Sequence, residues 1–293
     1  MKMRFDLKHA ASEQIMIVAH RGVSGGNIPC NTIPAYEAAL AQGADMIEID
    51  VTASADGTLY VFHPGMEHAH LNQVCDIRKM TDQEIADLRY VNQDDEITPY
   101  GIHTLEEVLA HFKGRCYINC DKFWNYPRKI SQMIRSFSMT EQILVKTKPE
   151  PELLDIIEQY AGDMQYMAIL KTDCEEVHDV IKRRKINYIG QEILFANEEN
   201  PLCSAAYLKK LRHDGILSWA NAIVYDYTKV LAGGHSDDMA VQGRMEESWG
   251  WLVRRGFDFI QTDWPMMLHE YLKQQKLLYK MRSIPDLRIY RNG

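Results

Sequence analysis

Between Ala19 and His63 the chain concentrates two histidines, an arginine and two carboxylates within about one βαβ unit. They occur as Ala19-His20-Arg21-Gly22, then Ile47-Glu48-Ile49-Asp50-Val51, then Asp56-Gly57 and Val61-Phe62-His63. A hard divalent cation takes oxygen ligands. A phosphate is held by a planar guanidinium. Ester cleavage near neutral pH uses an acid and a base, and imidazole, with an unperturbed pKa of about 6.5, serves as either. Glu48 and Asp50 are two residues apart on a strand-like run, so both face one side. Asn119 and Asp121 repeat that spacing in another apolar run. Glu48, Asp50 and Asp121 are therefore the candidate metal ligands, with Mg²⁺ or Ca²⁺ as the expected ion. His20 and His63 each end an apolar run and are the candidate catalytic pair. His68 and His70, in a polar stretch, read as surface residues.

Such scattered groups need a frame that brings them to one place. Apolar runs of strand length fall at 15–19, 46–51, 116–121, 142–146, 165–170, 187–194, 215–221 and 258–262. Segments of helical period alternate with them at 33–42, 104–112, 127–137, 150–160, 174–184, 204–213, 243–255 and 265–276. Eight strands, each followed by a helix, predict an α/β fold, a closed parallel (β/α)8 or TIM barrel. The length of 293 residues suits one such domain over 1–293. Residues 58–62 read as strand two continuing past a turn at Asp56-Gly57. A small insertion with one short helical pattern, 81–89, fills roughly 64–103, and 225–242 is a second long loop whose Asp237 and Asp238 read as loop decoration. Thr32 before Pro34, and Thr104 three residues before Glu107, mark helix starts.

In this architecture chemistry gathers at the C-terminal ends of the strands. The predicted ends carry His20-Arg21, Glu48 and Asp50, His63, Asn119 and Asp121, Lys146, Lys171, Glu192, Trp219 and Asn221, and Asp263-Trp264. Arg21, Lys146, Glu192, Trp219, Asn221 and Trp264 are the candidate phosphate- or substrate-binding residues, with the tryptophans positioned to pack on substrate carbons.

Composition narrows the partners. Thirty-three Lys and Arg against 41 Asp and Glu give a net charge of −8, which argues against a nucleic-acid surface and for a small-molecule substrate. No apolar run reaches membrane-span length. The N-terminal residues lack the apolar core of a secretory leader. Six scattered cysteines without a CxxC pair read as free thiols, and together these features predict a cytoplasmic enzyme. The basic tail 273–291 reads as a solvated face. Self-association is left open.

At these residues the chain resembles the glycerophosphodiester phosphodiesterase family. The resemblance rests on Ala19-His20-Arg21-Gly22, Asn31-Thr32, Gly43-Ala44-Asp45, Ile47-Glu48 with Asp50-Val51, Asp56-Gly57, Val61 with His63, the run from Ile102 to Leu109, and Gly256, Asp258 and Ile260 ahead of Thr262-Asp263-Trp264-Pro265. It implies a barrel with an insertion after strand two, a divalent metal, a histidine pair, and hydrolysis of glycerophosphodiesters to glycerol 3-phosphate and an alcohol. It matches His20 and His63 to that pair, Arg21 to a phosphate contact, and Glu48, Asp50 and Asp121 to the metal ligands. It also implies a substrate hydroxyl as nucleophile, with the histidines dividing acid and base duties in either order. The chain departs from the pattern at Cys30 and Pro64, where the family usually has acids, and at Asp121, usually glutamate. Lys122 directly follows Asp121, whereas the usual lysine lies one position later, at Phe123 here. A regular strand would point Lys122 away from Asp121, leaving Lys146 as the candidate phosphate-side lysine. The alternatives are a related lysophospholipid or phosphoinositide phosphodiesterase, favoured by an apolar ramp in 64–103, and a barrel that binds phosphodiesters without cleaving them.

Overall fold

The computed structural model describes residues 5–172, 175–224 and 226–279. Nine strands form the sheet: β1 (Met16–Ala19), β2 (Met46–Ala53), β3 (Leu59–Val61), β4 (Tyr117–Asp121), β5 (Ile143–Thr147), β6 (Gln165–Leu170), β7 (Tyr188–Ile193), β8 (Leu217–Asn221) and β9 (Phe259–Thr262). All except β3 run parallel, in the order β1-β9-β8-β7-β6-β5-β4-β2, and pairing of Val18 with Met46 closes the barrel. These runs are rich in apolar residues and mostly buried, as expected for parallel strands covered by helices. The eight expected strands are therefore the eight barrel strands. β3 is not an extension of β2: it folds back antiparallel, with Val51 opposite Val61, and returns His63 to the rim.

Side chains alternate between the barrel interior and the helix layer. Towards the N-terminal ends of the strands the interior is apolar, packed with Met16, Val18, Met46, Leu144, Met167, Trp219 and Phe259. A helix not expected from sequence, Leu7–Glu13, plugs this end with Leu7 and Ala11, and Asp6 caps it by accepting from the His9 N–H. Two buried positions make too short a pattern for periodicity to reveal. Towards the C-terminal ends the interior turns polar, with Glu48, Asp50, Asn119, Lys146, Glu192, Asn221 and Gln261 all buried. Cys116 and Cys120 face the helix layer, and the described cysteines are free thiols; Cys174 lies outside the described residues, as does most of the basic tail.

Helices Ile33–Ala41, Leu105–Phe112, Pro127–Ser136, Pro151–Ala161, Glu175–Lys182, Ala205–His213 and Pro265–Gln274 match the expected segments, three of them opening on proline. The stretch expected as one helix over 243–255 is a π-turn, Glu246–Gly250, running into Trp251–Arg255. The loop over 225–242 contains a further short helix, Asp237–Val241, capped by Ser236.

The insertion holds two short α-helices, Glu67–Leu71 and Asp82–Ala86, with a 3-10 turn, Ile77–Lys79, between them; a Thr81–Glu84 capping box opens the second α-helix. Its apolar side chains, Leu71, Ile77, Ile85 and Tyr90, pack with Tyr60 and Phe62 into a cluster of their own. His68 is exposed. His70 turns inward instead of lying on the surface, with Nε2 3.7 Å from the Cys30 Sγ and its ring edge-on to Phe62.

Candidate active site

The polar end of the interior opens into a cavity of about 290 Å³. It is lined by His20, Arg21, Glu48, Asp50, His63, Asn119, Asp121 and Lys122, from β2 and β4 and the segments that follow β1, β3 and β4. Lys146, Glu192, Asn221 and Gln261 come from β5, β7, β8 and β9, and Trp124, Ile169, Leu194, Ile223 and Leu231 complete the wall. A larger groove of about 1000 Å³ at the other end of the barrel, bordered by Lys8, Arg212 and Asp258, is lined by no histidine among the described residues.

The chain leaves β1 through a turn built for this site. Arg21 adopts a left-handed conformation, φ +57°, which is costly for a residue with a Cβ. Two contacts hold it there: its backbone N–H donates to Glu48 Oε2 at 2.9 Å, and its Nε lies 2.9 Å from Asp50 Oδ2. Gly22 follows with φ +80°, where a Cβ would sit 2.7 Å from the Ala35 carbonyl carbon, so only glycine lets helix Ile33–Ala41 approach this closely. Asn31 locks Asp50 from the helix side. Its Nδ2 donates to Asp50 Oδ2 at 3.0 Å, while its Oδ1 accepts from the Tyr36 hydroxyl at 2.9 Å.

His20 Nδ1 lies 2.8 Å from Asp263 Oδ1. A carboxylate only accepts, so Nδ1 carries the proton and Nε2 is left for the cavity. Burial lowers the His20 pKa, but the Asp263 hydrogen bond and the charge of Glu48 outweigh it and raise the group above its ordinary value. His63 Nδ1 lies 3.0 Å from the Pro64 carbonyl, which likewise fixes the proton on Nδ1. Burial lowers its pKa, offset in part by Asp50.

Side-chain oxygens of Glu48, Asp50 and Asp121 lie within 4.8 Å of one another. Register explains this: Glu48 pairs with Asn119 and Asp50 with Asp121 on neighbouring strands. Burial, then the neighbouring Asp50, pushes Glu48 up to about 7. Burial also opposes charge on Asp50, but Arg21 and Lys122 prevail and hold it well below the usual carboxylate range. Three oxygen-donor carboxylates, Glu48 and Asp50 buried and Asp121 half-buried, fit Mg²⁺ or Ca²⁺.

The sequence expectation for the lysines is reversed. β4 ends at Asp121, and Lys122 enters the left-handed region at φ +58°, which breaks the alternation of a regular strand. Its Nζ therefore swings into the site, 2.7 Å from Asp50 Oδ1 and 3.2 Å from Asp121 Oδ2. Lys146 is instead committed to a buried pair, Nζ 2.8 Å from Glu192 Oε2 and 4.0 Å from the centre of the Trp219 ring. Asn221 links the two: it donates to Glu192 Oε1 at 2.5 Å and accepts from Trp219 Nε1 at 3.0 Å. Trp219 is fully buried and stacks on Phe259, so it is a core residue and not a substrate platform. Trp264 is 45% exposed and does not line the cavity; Trp124, unmarked in sequence, does.

Asp237 is not loop decoration. It is buried and accepts from Trp249 Nε1, the Thr262 hydroxyl and the Asp263 backbone N–H at 2.7–2.8 Å, tying the loop to the end of β9 that carries Asp263. Burial pushes its carboxyl up to about 7. Ser236 capping the helix behind it was the available sequence signal.

A family model described as a domain of unknown function, DUF4996, matches residues 166–272. A curated Bacillus altitudinis protein named glycerophosphodiester phosphodiesterase is 33% identical over 143 residues, covering 45% of this chain and 57% of its own. A protein of the same name from Bacillus subtilis (strain 168) is 30% identical over 148 residues, covering 47% and 50%. The chain thus spans about half the length of these curated relatives. A glycerophosphoryl diester phosphodiesterase structure from Parabacteroides distasonis ATCC 8503 shares the fold, with TM-score 0.77, 17% identity, and coverage of 97% of this chain and 96% of that one. A glycerophosphodiester phosphodiesterase from Agrobacterium tumefaciens str. C58 aligns with TM-score 0.63 at 26% identity, over 87% and 99%. An Oleispira antarctica phosphodiesterase solved with its product sn-glycerol-3-phosphate aligns with TM-score 0.61 at 17% identity, over 89% and 97%. With its histidine, arginine and carboxylate motifs gathered at one barrel mouth, the chain is similar to these glycerophosphodiester phosphodiesterases over about half of their curated length.

Proposed function

We propose that this protein hydrolyses glycerophosphodiesters to glycerol 3-phosphate and an alcohol, using one divalent cation, Mg²⁺ or Ca²⁺, held by Glu48, Asp50 and Asp121. The observation that carries this reading is the meeting of both histidines, Arg21, Lys122 and the three carboxylates in one cavity of about 290 Å³. That volume suits a small deacylated diester.

The chemistry such a cation supplies is withdrawal of negative charge from a non-bridging phosphate oxygen. The remaining work falls to the chain. Arg21, anchored through Nε, offers its outer nitrogens to phosphate oxygens, and Lys122 adds a second positive charge. His63, backed only by a carbonyl, arrives neutral and takes the proton of the attacking hydroxyl. His20, backed by a carboxylate, holds a proton and delivers it to the departing alkoxide. The attacking group is the glycerol 2-hydroxyl: its O–P bond forms as the bond to the alcohol breaks. Water then opens the resulting cyclic phosphate, with the histidines exchanging roles.

The glycerophosphodiester reading is favoured over the lysophospholipid one because Leu71, Ile77, Ile85 and Tyr90 of the insertion pack with one another and with Tyr60 and Phe62, leaving Val74 and Ile97 as its exposed large apolar side chains. The test is glycerol 3-phosphate release from glycerophosphocholine with Mg²⁺ or Ca²⁺, with EDTA as control. Release that EDTA abolishes and added metal restores is the expected result. No release with either ion, or faster cleavage of lysophosphatidylcholine, would overturn the assignment.

A further inference from the structure

The wall of the cavity contributed by β4, β5, β7 and β8 is built differently from the rest. Lys146 and Glu192 are 3% and 6% exposed and form an ion pair, so their charges cancel where they meet the cavity. Asn119 is fully buried and lines the same space, yet neither its Oδ1 nor its Nδ2 has a hydrogen-bond partner among the described residues. Burying an amide this way is unfavourable unless something completes it. An anion finds no net charge here, and its own charge would face the Glu192 carboxylate. An alkyl group would leave Asn119 unpaired. A hydroxyl both donates and accepts, and so matches Lys146 and the Asn119 Nδ2 as donors and Glu192 and the Asn119 Oδ1 as acceptors. Trp219 beneath Lys146 and Asn221 beside Glu192 fix both charged groups in place. Asn119 is also the register partner of Glu48, so a group held here lies beside the carboxylate cluster.

Resting on the phosphodiesterase reading, we infer that Asn119, Lys146, Glu192 and Asn221 form a neutral polyol-recognition wall. It selects the hydroxyl-bearing end of the ester and turns the departing alcohol towards the mouth. A buried site made to pair with a hydroxyl strongly rejects an analogue lacking it, because its own polar groups are then stranded.

The experiment compares kcat/KM for glycerophosphocholine with that for the choline phosphodiester of propane-1,2-diol esterified at its primary oxygen. The second keeps the 2-hydroxyl and lacks the 3-hydroxyl. The wild-type protein is expected to favour the glycerol ester by at least about 100-fold. Asn119→Ala should cut that ratio at least about tenfold by losing activity on the glycerol ester alone. The double variant Lys146→Met/Glu192→Gln, which avoids leaving one charge buried by itself, should do the same. A wild-type ratio near one, or a ratio that a folded variant leaves unchanged, overturns the inference while the hydrolytic reading stands. If neither ester is cleaved, the hydrolytic reading fails. The wall is then judged by calorimetric titration: tenfold tighter binding of glycerol 3-phosphate than of propane-1,2-diol 1-phosphate supports it, and equal affinities overturn it.

Discussion

Two halves of the barrel mouth bury charge in different ways. On β1, β2 and β4, Glu48, Asp50 and Asp121 crowd together, and Arg21 and Lys122 compensate them only in part, so that Glu48 is pushed up to about 7. On β5, β7 and β8, Lys146 and Glu192 satisfy each other, with Asn221 and Trp219 completing the set. The first half holds excess negative charge that a divalent cation would relieve, beside cations that a phosphate would meet. The second has no charge to offer and presents a fixed pattern of donors and acceptors. On the proposed function, reactivity would follow from incomplete compensation and discrimination from completed compensation, within one cavity.

Removing one of the two histidines proposed to carry protons tests the difference most severely. His63→Ala or His20→Ala is expected to lower kcat by about 10²–10⁴-fold, with far-UV circular dichroism unchanged because neither ring belongs to a core cluster. Asn221→Ala, in the second half, should weaken KM more than kcat. If it depressed kcat as far as His63→Ala, the halves would not differ in kind.

A smaller effect is expected at Lys122, whose ammonium bridges Asp50 and Asp121. Lys122→Met removes a positive charge from the cluster. It should lower kcat/KM by about 10–100-fold, the worth of one charge-assisted contact. The same change should also reduce the metal concentration needed for half-maximal activity. A higher metal requirement in the variant would mean that Lys122 helps to assemble the carboxylates instead of competing for them.

The charged half was legible in the sequence because its residues sit at strand ends with spacings of two, and strand geometry turns such spacing into a shared direction. That reasoning failed at Lys122, where the strand stops and a left-handed residue replaces alternation; nothing in Asp121-Lys122-Phe123 announces that backbone. The other half was legible by position only. Glu192 and Asn221 were expected at the rim, but their partners lie 46 and 29 residues from Glu192 and could be found only through barrel register. Trp219 was misplaced by one layer: it precedes Asn221 by two, faces the same interior, and ends in the apolar plug. Helix Leu7–Glu13 escaped notice because its burial depends on a barrel end that only the closed fold creates.

The smallest effect, and the one that most sharpens the contrast, belongs to Asp263. Its hydrogen bond to His20 helps to overcome the lowering by burial, so the imidazole is more basic than usual. Stability linked to that raised value is fully present below about pH 6.5, the unfolded value, and is lost as pH rises through the folded value. Asp263→Asn should therefore destabilise the fold chiefly on the acid side, with the gap in denaturant midpoint closing as pH rises. If His20 must be protonated to release the alkoxide, the alkaline limb of the kcat profile should move to lower pH in the variant, with a loss of about tenfold near neutrality. A limb that stays in place while stability shifts would detach Asp263 from catalysis and leave it a structural partner of β1. A limb that moves in Lys146→Met/Glu192→Gln would show that the neutral wall also governs proton transfer, and would erase the division between the two halves.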